Sequence, residues 1–201
     1  EGHGREQLSE DTDLSGTTGW FTAIYPVMLN TFTTNSTNEE ISETIKTIKE
    51  NIRQIPDKGF GFGILKYLSS DKSIKEKLCS MPEREIIFNY LGQFNESIAQ
   101  GSDWKTGKQS LLLSQNKSDR RDHLIEINCL INDNKLKMDF VYSTNFHKKQ
   151  TMKLFSELYK ESLNSIIDHC TSEEAGGVTP SDFSSSGLNQ QELDNLLSNL
   201  N

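Results

Sequence analysis

The first six residues, EGHGRE, set an acid, an imidazole and a guanidinium at alternate positions with glycines between them. On an extended strand successive side chains leave opposite faces, so Glu1, His3 and Arg5 share one side while Gly2, Gly4 and Glu6 take the other. One face then carries a carboxylate, a ring nitrogen and a permanent cation, a set suited to moving a proton and steadying an anion. The other face is nearly bare, so a ligand or a second backbone can approach it. A strand end with a solvated ion pair uses the same residues, and spacing by itself leaves both readings open.

Other strings carry less chemistry of their own. In FNYLGQF, Asn89 and Tyr90 form a hydrogen-bonding pair among apolar residues, and on a strand they point opposite ways. KGFGFG invites a phosphate-loop reading, but Gly59, Gly61 and Gly63 lack the Lys-Ser/Thr that should follow. A tight turn that lets another group approach the backbone is the expected role. His123, His147 and His169 have no local partner and are read as structural. Cys79, Cys129 and Cys170 show neither CxxC nor zinc spacing, so no metal site or disulfide is expected, only free and mostly buried thiols.

The 201 residues suffice for one domain or one large lobe of something bigger. A formal net charge of -8 with no basic cluster argues against nucleic acid and anionic membrane as partners. The chain is polar, at 33% hydrophobic residues, which points to a polar tail or a surface meant for partners. No apolar run approaches the length of a membrane span, and a cytoplasmic protein is expected.

The elements that must hold these residues are read from periodicity. WFTAIYPVML suits a strand, with Pro26 at an edge or bulge. Ile41, Ile45, Ile48 and Ile52 paint one face of a helix, with Thr37 and Glu40 at capping-box spacing. IPDKGFGFG breaks the chain before ILKYL, a short helix, and REIIFNYLGQF reads as a buried strand ending at Gly92. HLIEINCLI and KLKMDFVYS form a hairpin around NDN, with Leu136, Met138, Phe140 and Tyr142 on one face. Met152, Phe155, Tyr159, Leu163, Ile166 and Cys170 mark a long helix across the sheet. Residues 1–170 are therefore read as one α/β lobe with a mixed sheet and packed helices. Residues 171–187, rich in Ser, Gly and Glu, are read as a flexible linker, and 188–201 as a short amphipathic helix with a stripe of Leu193, Leu196, Leu197 and Leu200.

Taken in order, EGHGRE, GTTGWFTAIYPVML, PDKGFGFG and FNYLGQF resemble the signature strings of the epimerization domains of nonribosomal peptide synthetases, within the condensation-domain superfamily. YSTNFH and the exit GGVTPSDF are similar too, so the likeness runs from Glu1 to about Phe183. The resemblance implies the C-terminal lobe of a fold like that of chloramphenicol acetyltransferase, with the active site in a tunnel between two lobes. It implies inversion of Cα in an aminoacyl or peptidyl thioester held on the phosphopantetheine arm of a peptidyl carrier domain, with no cofactor bound directly. The catalytic residues it implies are Glu1, Arg5, Asn89 and Tyr90, with His3, Trp20 and Tyr25 as substrate contacts. Two departures stand out. The family's His-His-x-x-x-Asp-Gly string is absent, because it belongs to an N-terminal lobe expected to precede EGHGRE in a larger enzyme. Gly16 and Thr17 stand where arginine and threonine are more usual. The implied partners are that missing lobe, the carrier domain and a neighbouring synthetase module, the last through the C-terminal helix. A condensation domain that forms peptide bonds and a carrier-docking lobe without chemistry are the alternatives.

Overall fold

The structure is a computed structural model that describes residues 1–4, 11–29, 37–94, 120–132, 134–173, 175, 177–183 and 187–199. Arg5, Glu6, Gly176 and Leu200 lie outside the described residues. The architecture is mixed α/β. Among the described residues, its main sheet has three strands in the order β3 (Ile86–Phe94), β4 (Ile125–Asn132), β5 (Lys135–Tyr142). β3 runs parallel to β4, and β4 is antiparallel to β5 in the expected hairpin, with Asn134 at the turn in a left-handed conformation, φ 56°. Asparagine tolerates that conformation better than most residues.

Register sorts the sheet into two faces, because paired residues point the same way. Phe88 pairs with Ile127 and Tyr90 with Cys129, and these in turn pair with Phe140 and Met138. This face receives α4 (Lys149–Thr171), whose Phe155 and Tyr159 rings meet Phe140 edge-on at 5.7 and 5.6 Å. Edge-to-face contacts of this kind add about 0.5–1.5 kcal/mol beyond burial. Ile127, Cys129 and Met152 are the buried apolar residues here. The opposite face carries Asn89, Asn128 and Asp139 in register.

α1 (Asn38–Arg53) lies against α4 and has the expected capping box: the Glu40 amide donates to Thr37 Oγ1, and the Thr37 amide donates to Glu40 Oε2. Asp71 caps α3 (Lys72–Cys79) in a similar way, accepting from the amides of Ser73 and Ile74. Beyond α4, the composition predicts no packed core, and the contacts that order Thr179–Asp182 are polar instead. Asp182 is held by Lys49 at 2.5 Å and Arg53 at 2.7 Å, and Ser181 Oγ donates to Glu50 Oε1 at 2.5 Å. Thr179 is fully buried beneath this clasp. α5 (Gln190–Ser198) follows, capped by Asn189 with Glu192 as the reciprocal partner, and Leu193 is buried.

Several expectations need correction. β3 is not a buried strand: it has one paired strand, β4, among the described residues, and Ile86, Phe88, Tyr90 and Leu91 stay 43–51% exposed. Nor does it end at Gly92, which at φ 86° forms a bulge that shifts the register between Tyr90 and Gln93 and lets the strand continue to Phe94. In WFTAIYPVML only β2 (Thr22–Ala23) is a strand, paired with β1 (Gly2–His3). Pro26 lies beyond it, in a stretch whose Ile24 and Met28 face solvent. In GFGFG only Gly59 breaks the helical path, at φ 81°, while Gly61 and Gly63 belong to α2 (Phe60–Gly63), which widens into a π turn over Ile64–Leu68. Cys79 and Cys170 are exposed, and at the end of α4 it is His169 that turns inward. Only Cys129 is a buried thiol, and burial with the nearby Asp139 carboxylate pushes it up, keeping it a neutral hydrophobe.

Candidate functional site

β1 is only two residues long, and its place is fixed from both sides. The His3–Thr22 and Gly2–Ala23 pairs join it to β2, and the Glu1 main-chain nitrogen donates to the carbonyl of Phe88 at 2.8 Å. The Tyr25 ring packs beside β1, so that a Cβ at Gly2 would lie in van der Waals contact with Tyr25 Cε1 at 3.4 Å. β1 is thereby laid beside β3, the strand that carries Asn89.

The side chains meet accordingly. His3 Nδ1 lies 3.0 Å from Thr22 Oγ1, and its Nε2 lies 2.5 Å from Asn89 Oδ1. Asn89 Nδ2 donates to Asn128 Oδ1 at 3.3 Å, from the neighbouring strand position. The Glu1 carboxylate stands 3.7 Å from the same Nε2, with 18% of its side chain exposed against 32% for His3. An open concavity of about 220 Å³ adjoins this group, lined by His3, Gly4, Gly19, Phe21 and Thr22. Two of these five are glycines, so main chain forms much of its wall. A half-sheltered carboxylate beside an imidazole that lines an open cavity has the chemistry to move a proton.

The structure brings together Glu1, His3 and Asn89 of the residues the sequence singled out. Tyr90, next along β3, leaves on the α4 face in register with Cys129 and is 43% exposed. Trp20 is 89% exposed, between the two cavity residues Gly19 and Phe21. Tyr25 packs its ring on Gly59 and Gly2. Sequence reading missed Thr22 and Asn128. Thr22 gives no signal, since only the β1–β2 register brings it to His3. Asn128 does give one: it is an amide embedded in an apolar strand, as Asn89 is. Among the described residues, no group of three or more His, Cys, Asp or Glu is placed to hold a metal ion.

The family model described as "Condensation domain" matches residues 1–188. A linear gramicidin synthase of Brevibacillus parabrevis is 42% identical over 97% of the chain, and bacitracin synthase 3 of Bacillus licheniformis is 37% identical over 98%. The chain spans only 2% and 3% of those proteins. Among solved structures, the epimerization domain from the third module of tyrocidine synthetase B superposes with a TM-score of 0.72 at 32% identity, over 86% of this chain and 37% of that one.

Proposed function

The chain belongs to the condensation-domain family of nonribosomal peptide synthetases, and on that premise we propose that it is the C-terminal lobe of an epimerization domain, inverting Cα of a carrier-bound aminoacyl or peptidyl thioester. The observation that carries the reading is the convergence of Glu1 and Asn89, from strings 86 residues apart, on His3, which lines an open cavity. The likeness to a solved epimerization domain supports it.

Inversion at Cα has two proton transfers. A base removes the Cα proton, the electron pair passes into the thioester carbonyl as an enolate, and an acid returns a proton to the opposite face. Acid and base must therefore flank the substrate. Glu1 serves one face, and the second group comes from the N-terminal lobe that completes the tunnel. Asn89 and His3 hold the Glu1 side of that arrangement. The phosphopantetheine arm belongs to the carrier domain and delivers the substrate, so this lobe binds no cofactor of its own. The open, glycine-lined cavity suits a long flexible arm better than a closed pocket would. The α5 helix, with Leu196 and Leu197 exposed, leads toward a neighbouring module.

The test is Glu1→Gln in the intact two-lobed domain. Thioester loading should be unchanged, while inversion and exchange of the Cα hydrogen with deuterated solvent should fall by about 10²–10⁴-fold. Unchanged exchange overturns the reading. A second reading, peptide-bond formation, is favoured by the description of the matching family model. Condensation of two carrier-bound substrates without loss of L configuration would establish it instead.

A further inference from the structure

We infer that Asn128 is a positioning residue of this site: acting through the Asn89 amide, it holds the His3 ring, when neutral, as its Nε2–H tautomer, with that N–H donated to Asn89 beside Glu1. The inference rests on the reading of Glu1 as a proton-transfer group, and it deepens that reading by naming what orients the imidazole beside it.

The argument is one of donors and acceptors. An asparagine amide has one oxygen that accepts and one nitrogen that donates, so fixing one end fixes the other. Asn128 Oδ1 accepts from Asn89 Nδ2, which commits Asn89 Oδ1 to the other side, 2.5 Å from His3 Nε2. An oxygen acceptor there requires a proton on Nε2. Nδ1 of a neutral ring is then the acceptor, and Thr22 Oγ1 at 3.0 Å is the hydroxyl that donates to it. The same Nε2 faces Glu1 Oε2 at 3.7 Å. The ring therefore donates its Nε2–H to Asn89 and offers no lone pair to the carboxylate beside it. Asn128 does not line the cavity, and its hydrogen bond is to Asn89, through which its effect passes. β4 is suited to the task, because register sets Asn128 directly beside Asn89 on one side and opposite Asp139 on the other.

The experiment is nitrogen-15 NMR of the histidine rings of this chain at about pH 8, where an unperturbed imidazole is neutral. The expected result is a His3 spectrum with the proton on Nε2. Asn128→Leu frees the Asn89 amide to turn over, and the His3 signals should move toward a mixture of tautomers. Asn128→Asp combined with Asp139→Asn keeps an obligate acceptor at position 128 without two carboxylates opposed across β4 and β5, and should restore the original pattern. In the intact domain, Asn128→Leu should lower kcat by about tenfold or more with KM little changed, and the double variant should recover it. A proton on Nδ1 in the parent chain, or a tautomer indifferent to Asn128→Leu in a folded protein, overturns the inference. The ring spectrum does not depend on catalysis. If the tautomer behaves as expected while Glu1→Gln leaves exchange intact, the proposed function fails and the positioning role of Asn128 stands as a structural one.

Discussion

The ring of Tyr25 occupies the space that a side chain at Gly59 would need, for a Cβ built there would stand 2.0 Å from Tyr25 Cδ1. Gly59 also sits at φ 81°, directly after Asp57 and Lys58 at φ 46° and 50°. The turn thus combines left-handed backbone with contact too close for any Cβ. Gly59→Ala is expected to cost well over the roughly 1–2 kcal/mol of the left-handed penalty, because the Tyr25 ring must also move. Gly61→Ala, in helical backbone with nothing within 4 Å, should be neutral or stabilise by about 0.5–1 kcal/mol. Urea denaturation of the two variants measures the contrast, and equal losses would refute it.

On the proposed function, one lobe supplies one side of a two-sided proton transfer. This chain, which spans 37% of the epimerization domain it resembles, should therefore produce no D-product from an L-aminoacyl carrier protein. Chiral analysis of the released amino acid after prolonged incubation checks it. D-product above the level given by the Glu1→Gln chain would show that a single lobe suffices.

What the sequence made legible follows from how local each signal was. The capping box of α1, the hairpin of β4 and β5, and the first part of the α4 stripe, from Met152 to Leu163 but not the exposed Ile166 and Cys170, rest on neighbours within a few residues, where spacing and side-chain chemistry decide the outcome. The alternation in EGHGRE put Glu1 and His3 on one face, and they do lie 3.7 Å apart. What spacing could not carry was pairing across the fold. Thr22 reaches His3 only through the β1–β2 register, and Asn128 reaches Asn89 only through a parallel pairing of strands 39 positions apart. Exposure differs from expectation for a related reason: apolar content in β3 predicts burial, but whether a strand is covered depends on what lies beside it. The clasp at Thr179–Asp182 gives no signal in composition, which measures apolar burial and is blind to an order imposed by Lys49, Arg53 and Glu50.

That clasp should open in acid. The Lys49 and Arg53 hydrogen bonds and the Thr179 amide hold the Asp182 carboxyl well below its ordinary value of 3.8. For Glu50, burial pushes upward, but hydrogen bonds from Ser181 and Thr179 and the Arg53 charge outweigh it and leave a net lowering. Both are carboxylates with depressed folded values. Their stabilising contribution is thus fully present above the unfolded value and is lost as pH falls from about 4 toward the folded value. The Thr179 amide, which donates to Asp182 Oδ2 at 2.9 Å, should lose hydrogen-exchange protection in that window while the β4–β5 amides keep theirs. Asp182→Asn should produce the same loss at neutral pH. Protection of Thr179 that persists unchanged down to about pH 2 would count against the clasp.

The leucines of α5 divide into one that is buried and two that are not. Leu193 is 5% exposed, whereas Leu196 and Leu197 are 49% and 37% exposed. The helix is held at its start by the Asn189–Glu192 capping box and by the Gln190 side chain, which donates to the carbonyl of Val178 at 3.2 Å. A nine-residue helix is too short to persist in water on its own propensity, so its order depends on Leu193 and on these polar ties. Leu→Ala at a buried site removes about 2–5 kcal/mol, but the loss felt here is capped by the free energy with which α5 opens locally. Leu193→Ala should therefore release the amides of α5 to near-unprotected exchange while global unfolding in urea shifts little. Leu196→Ala and Leu197→Ala should change neither measurement by more than a few tenths of a kcal/mol in this chain. In a longer polypeptide that includes the following module, the same two substitutions should lower α5 protection. No change there would mean that the exposed pair serves no neighbour.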